Sequence, residues 1–162
     1  AHIELRELLN SFRAPIDQRG LISALERLVE RFGREAGVHD LFQNECREPN
    51  LSSAEEMQML RVAQECLANI RKHAQAHTVR VMFSCRGKGN YSLLIEDDGV
   101  GFEGASKQGQ PGEHIGLSIM EERARRLGGN LRIESEVGEG TRVELSYRPQ
   151  TERRKADQRW IV

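Results

Sequence analysis

The feature that most restricts how this chain folds is a change of period on either side of one aperiodic, glycine-bearing stretch. From Phe102 to Ile115 neither a helical nor a strand repeat can be found, and glycines at 104, 109 and 112 with Pro111 mark a loop. Ahead of it, Val79, Val81, Phe83 and Cys85 alternate with Arg80, Met82 and Ser84, while Tyr91, Leu93, Ile95 and Asp97 share one face of a similar run. These are two strands joined through residues 87 to 90. Behind the loop, Leu117, Met120, Ala124 and Leu127 recur at helical spacing and stop at Gly128 and Gly129, a natural helix end. Two more strands are expected over 131–135 and 142–147, separated by glycines 138 and 140. A loop this long inside a compact domain is commonly a lid or a binding loop.

Upstream, Leu5, Leu8, Leu9 and Phe12 form one helical stripe that Pro15 breaks, and Leu21, Leu25, Leu28 and Phe32 predict a second helix. Residues Val38 to Cys46 read as a strand. Ser52 and Ser53 each precede a glutamate by three positions, Glu55 and Glu56, the capping-box signature of a helix expected to run to about His73. The resulting fold class is α+β, a two-layer sandwich with helices on one face of a mixed sheet.

Composition narrows the function classes. A chain of 162 residues with net charge -1 carries no dedicated surface for nucleic acid or anionic membrane. No apolar run approaches the roughly 20 residues that span a bilayer. Cys46, Cys66 and Cys85 are odd in number and widely spaced, matching neither a disulfide framework nor a paired-cysteine zinc site, so reduced thiols are expected. Because the chain starts at Ala1 rather than methionine, we expect a piece of something longer.

Four segments carry chemistry. In the helix ending near His73, Leu60, Ala63, Leu67, Ile70 and Ala74 make the buried stripe, which leaves Glu65, Asn69, Lys72 and His73 together on another face. A carboxylate can orient a nucleophile, an asparagine carbonyl suits a hard cation and a lysine can pair with phosphate. A solvated helix face is the commoner explanation of such a stripe. Asp97-Asp98-Gly99-Val100-Gly101 ends a strand whose alternation points Asp97 inward, where an acid needs a partner such as a purine amino group. Alone, this motif is what any turn contains. The sequence GEHIGLSIM, from Gly112, runs from the loop directly into a helix starting near Gly116, whose free amides favour phosphate. Gly138-Glu139-Gly140-Thr141 enters the last strand and by itself is only a hairpin turn.

In this order, QECLANIRKHAQA at 64–76, DDGVGF at 97–102, HIGLSIMEERARRLGG at 114–129 and GEGTRVEL at 138–145 resemble the N box and the three glycine boxes of GHKL ATPases, which implies the Bergerat-type ATP-binding fold. Within that superfamily the N-x-x-K-H ending and the helix after the lid are similar to the catalytic domain of sensor histidine kinases that signal to NarL-type response regulators. LRELLNSFR at 5–13 further resembles the end of the dimerisation helix in nitrate/nitrite sensors of the NarX and NarQ type.

The resemblance implies a division into 1–13 (end of the dimerisation and phosphoacceptor helix), 14–149 (ATP-binding catalytic domain) and 150–162 (polar tail). It implies ATP and Mg²⁺ as cofactors, with Asn69 as the metal ligand, Glu65 as the base or positioning carboxylate toward an incoming histidine, and Lys72 and His73 near phosphate. Asp97 would accept from the adenine amino group, Gly99 and Gly101 would admit the base, Thr141 would assist, and Gly116 would give its amide to phosphate. His114, in the lid, and Leu117 would also bind the nucleotide, and Lys107 sits in the lid. The accepting histidine would lie upstream of this chain, so the chain is expected to bind ATP without phosphorylating itself, as a monomer; His2 is a bystander. Implied partners are the phosphoacceptor domain of the parent kinase and a NarL-type regulator, and the implied location is the cytoplasmic side of an inner-membrane sensor, with no membrane contact by this stretch. The alternative from another class is an anti-sigma-type regulatory module built on the same fold.

Overall fold

A computed structural model of the chain describes residues 20–87, 89–102 and 114–149; for 114–116 only the backbone is described. The expected helix over 3–13, most of the lid with Lys107, and the tail lie outside these residues. The elements run α1 (Gly20–Ala36), β1 (His39–Glu45), α2 (Ser53–Asn69), a π-helical turn (Ile70–Ala74), β2 (Thr78–Arg86), β3 (Asn90–Asp97), α3 (His114–Leu127), β4 (Asn130–Glu136) and β5 (Gly140–Tyr147).

The strands form one mixed sheet in the order β1-β2-β3-β5-β4, in which β1 and β2 are parallel and the remaining pairs antiparallel. Short turns join β2 to β3 and β4 to β5, and the chain passes through α3 and β4 between β3 and β5, whereas the parallel pair β1 and β2 needs the crossover that α2 supplies. The alternation read from the sequence sets which face is buried: Val79, Val81, Phe83, Tyr91, Leu93, Ile95, Val143 and Leu145 face the helices and join Leu25, Val29, Leu60, Ala63, Leu67, Met120 and Ala124 in one core. Phe83 is fully buried, which by area contributes about 2–3 kcal/mol. The other face is polar. There Glu96 lies between Arg80 and Arg142, with N–O distances of 2.7 and 3.3 Å.

Helix α2 begins as its sequence demands. Ser52 is the N-cap: its hydroxyl accepts from the Glu55 amide at 3.2 Å, and the Glu55 carboxylate accepts from the Ser52 amide at 2.8 Å. The second Glu55 oxygen accepts from the Tyr147 hydroxyl, which ties the helix start to the end of β5. Such a cap stabilises by about 1 kcal/mol. The far end departs from expectation. The α-helix stops at Asn69 and continues as a π turn, closed by Gln75 in the left-handed region at φ 49°. No glycine or proline announces this turn; it is held from outside, where the Val100 amide donates to the Ala74 carbonyl at 2.7 Å.

The cysteines require a correction. Cys46 and Cys85 are joined as a disulfide, their Cα atoms 5.0 Å apart across 39 positions of sequence. The parallel register sets Glu45 opposite Ser84, so the next pair along the two chains is Cys46 and Cys85. Spacing in sequence carries no trace of that register. Cys66 is free and buried, as a reduced thiol should be, with its sulfur 3.0 Å from the Met120 sulfur between α2 and α3. Among the described residues no helix is long and apolar enough to cross a membrane.

Candidate ATP site

The end of β3 is built by backbone approach. Asp97 is only 8% exposed and is the one charged residue buried among those described. Its carboxylate accepts from the Gly99 amide at 2.8 Å. Burial pushes this carboxyl above the ordinary aspartate value, the Gly99 amide pulls it back, and neighbouring Asp98 raises it further. An inward acid with spare lone pairs in such a place is poised for an external donor. Asp98 points the other way and does a different job: its carboxylate accepts from the amides of His77 and Thr78, both at 2.8 Å, and these bonds hold it below the usual range.

Close packing explains the glycines beside it. A side chain at Gly99 would collide with the Ala74 carbonyl, and Gly101 abuts the carbonyl of Glu136. Gly140, at φ +83°, leaves no room between itself and the Asp97 carbonyl and adopts a backbone that L-residues avoid. Register pairs Asp97 with Thr141. The Ser135 hydroxyl donates to the Gly140 carbonyl at 3.0 Å and accepts from the Phe102 amide at 2.9 Å. Because its single proton is then used, the 2.9 Å contact with the Thr141 hydroxyl is one in which Thr141 donates, which leaves the lone pairs of Thr141 available. Sequence reasoning missed Ser135, which stands on β4 with only a polar residue's alternation to mark it.

Glu65 and Asn69 lie one turn apart on α2 and are half-buried, while Lys72 and His73 fall on the π turn and are exposed. The asparagine amide does not cap the turn that follows it, so its carbonyl is not consumed by the helix. Among the described residues no three His, Cys, Asp or Glu side chains are grouped to hold a metal. A Mg²⁺ ion at Asn69 would thus take most of its oxygens from phosphate and water, its usual preference. Across the α2–α3 contact, Arg123 is partly buried: burial first, then Arg61, weaken its hold on its proton, and Glu65 strengthens it. Arg123 was not singled out from the sequence. It lies three positions beyond Met120 on α3, and that spacing was readable only as core pattern.

The two groups meet where the π turn touches the Asp97 loop, through Val100 to Ala74 and Gly99 against the same carbonyl. Helix α3 starts at His114, two residues earlier than expected, which makes the Gly116 amide one of the unsatisfied groups of its first turn. Leu117 is partly buried and packs against the core. A cavity of about 630 Å³ opens elsewhere, on the polar face of the sheet among Met82, Ser92, Leu94, Arg142 and Glu144, and shares no residue with this site.

Residues 54–151 match the family of histidine kinase-, DNA gyrase B- and HSP90-like ATPases, and the chain belongs to that family. Its fold is the ATP-binding one, and the buried aspartate with its glycines occupies the end of the central strand. Among relatives, the chain is 37% identical over 150 residues to the nitrate/nitrite sensor protein NarQ of Escherichia coli, covering 91% of this chain and 26% of that protein. It is 30% identical over 148 residues to E. coli NarX, 91% and 24% respectively, and 31% identical to the histidine-protein kinase/phosphatase DegS of Brevibacillus brevis, 92% and 38%. The chain thus spans about a quarter of the length of the nitrate/nitrite sensors it matches. The histidine kinase domain of the blue-light activated kinase EL346 from Erythrobacter litoralis superposes with a TM-score of 0.66 at 18% identity, covering 82% of this chain and 62% of that one. Full-length ShkA in complex with AMPPNP superposes at 0.65 with 20% identity, covering 83% and 30%. At these identities the structural likeness concerns the fold.

Proposed function

We propose that the chain is the phosphoryl-donating part of a two-component sensor histidine kinase, binding ATP with Mg²⁺ and passing the γ-phosphoryl group to a histidine outside it. The observation that carries this reading is the buried Asp97 beside close-packed glycines and the Thr141 hydroxyl, on the strand next to the helix bearing Glu65 and Asn69. Asp97 accepts from the adenine amino group, and Gly99 and Gly101, packed against the carbonyls of Ala74 and Glu136, shape the backbone that holds Asp97 toward the base. Thr141 contributes its hydroxyl directly or through water. Asn69 holds a Mg²⁺ ion whose charge offsets that of the phosphates. Lys72 and His73 reach phosphate from the exposed turn, Gly116 offers its amide at the start of α3, and His114 and Leu117 border the nucleotide there. Glu65 orients the incoming histidine and takes its proton. Transfer of this kind asks the protein mainly for position and charge compensation.

The parent's partners in this reading are its own phosphoacceptor and dimerisation domain, to which residues 1–13 would belong, and a NarL-type response regulator. Likeness to NarQ and NarX supports nitrate or nitrite as the stimulus and an inner-membrane parent with this domain on the cytoplasmic side. The test is nucleotide titration with and without Mg²⁺, then addition of a separate acceptor-helix domain with labelled ATP. Mg²⁺-dependent binding and phosphohistidine on the added domain are expected. Asn69→Ala should abolish most of the Mg²⁺ dependence, and an unchanged dependence would remove the metal role.

A further inference from the structure

Strand β1 is the least embedded part of the sheet. Among the described residues it lies at an edge, pairs in the sheet only with the parallel strand β2, and packs only Phe42 against the core, while Leu41 is 52% exposed. Parallel pairing is slightly the weaker kind. At the end of β1 stands Cys46, in register with Cys85 and bonded to it.

We propose that Cys46–Cys85 is a reversible thiol–disulfide site that locks β1 to the sheet and releases it when a dithiol donates two electrons. The two sulfurs differ in access: Cys46 is buried and Cys85 only partly so. A thiolate of the dithiol attacks the Cys85 sulfur, and the Cys46 sulfur leaves as a thiolate and takes up a proton. The second thiol of the donor then displaces Cys85, so the donor ends as a disulfide and the chain as two thiols. Cys66 does not compete, because it is sealed against Met120 and burial pushes its thiol far up. The lock spans 39 positions. The loop it closes carries α2 and β2, which keep their own core packing, so its loss loosens chiefly the edge strand β1, which contributes only Phe42 to the core.

The 162-residue chain itself serves for the test, equilibrated with oxidised and reduced dithiothreitol. Alkylation after denaturation should find one reactive cysteine in the oxidised sample and three in the reduced one. Reduction should lower Tm by about 10 °C. It should also speed amide exchange over 39–45 at least tenfold while leaving 91–97 protected, with ATP affinity changed by less than about twofold. Cys85→Ala should resemble the reduced chain and ignore dithiothreitol. Three reactive cysteines under oxidising conditions would overturn the site. A pair that forms but leaves the exchange of 39–45 unchanged on reduction would overturn the lock, and so would a Cys85→Ala chain that still responds to dithiothreitol.

Discussion

At the end of β3 the Asp97 carboxylate is buried, the carbonyls of Ala74, Glu136 and Asp97 press against glycines, and hydroxyls of Ser135 and Thr141 close the hydrogen bonding. On α2 and its π turn, by contrast, Glu65 and Asn69 are half-buried, and Lys72 and His73 are exposed. The first region is closed by its own backbone contacts and hydrogen bonds. The second presents polar side chains on a partly exposed helix end, where the proposed reading puts a metal, phosphate and the incoming histidine. In the proposed reading, selectivity falls to the closely packed region and transfer to the more exposed one.

The comparison is broken most severely by filling the closely packed end. Gly140→Ala, with a left-handed backbone and a side chain driven into the Asp97 carbonyl, should cost about 3 kcal/mol or more in thermal or urea unfolding. Gly138→Ala, at φ +85° but with nothing nearby, should cost only about 1 kcal/mol. Equal losses would mean that close packing is not what the β4–β5 turn protects.

A smaller and more selective effect is expected at Asp97. Asp97→Asn should weaken ATP by roughly tenfold to a hundredfold, about 1.4–2.8 kcal/mol, while inorganic triphosphate is nearly unaffected. Since burial penalises the charged carboxyl, stability should hold or rise. The pH dependence has opposite signs for folding and binding. With the folded value raised, the contribution of Asp97 to stability is present below the ordinary aspartate value and is lost as pH rises through the raised one. ATP affinity should instead fall as pH drops through that raised value, because the ionised carboxylate is the better acceptor. Isothermal titration across that window checks the binding, and urea unfolding over the same range checks the stability. Equal losses for ATP and triphosphate would move Asp97 away from the base.

The smallest of these effects concerns the joint between the two regions. Asp98→Ala removes the acceptor for the His77 and Thr78 amides and should cost about 1–2 kcal/mol. It should raise amide exchange at these two residues without altering selectivity between ATP and triphosphate. A loss of selectivity would show that the loop, and not Asp97 alone, reads the base.

Much of this architecture was legible in one sequence. Alternation through Val79–Cys85 and Tyr91–Asp97 gave the strands, their inner faces and the burial of Asp97; the Ser52–Glu55 box gave the start of α2; and the stripe from Leu60 to Ala74 gave its buried side. These are local signals, because side-chain period and capping chemistry act over a few residues. What escaped was non-local. The π turn is held by Val100 of another segment, Ser135 matters only because β4 lies beside β5, and Arg123 only because α3 packs on α2.

The cysteines mark the boundary most clearly. The sequence by itself determined the order of helices and strands, the composition of the core and the identity of a buried acid next to glycines, since each follows from periodicity and the steric freedom of single residues. Only the tertiary structure decided that β1 runs parallel to β2 in the register that sets Cys46 beside Cys85. Parallel register is fixed by a crossover helix packing onto a sheet, and no spacing along the chain encodes that distance.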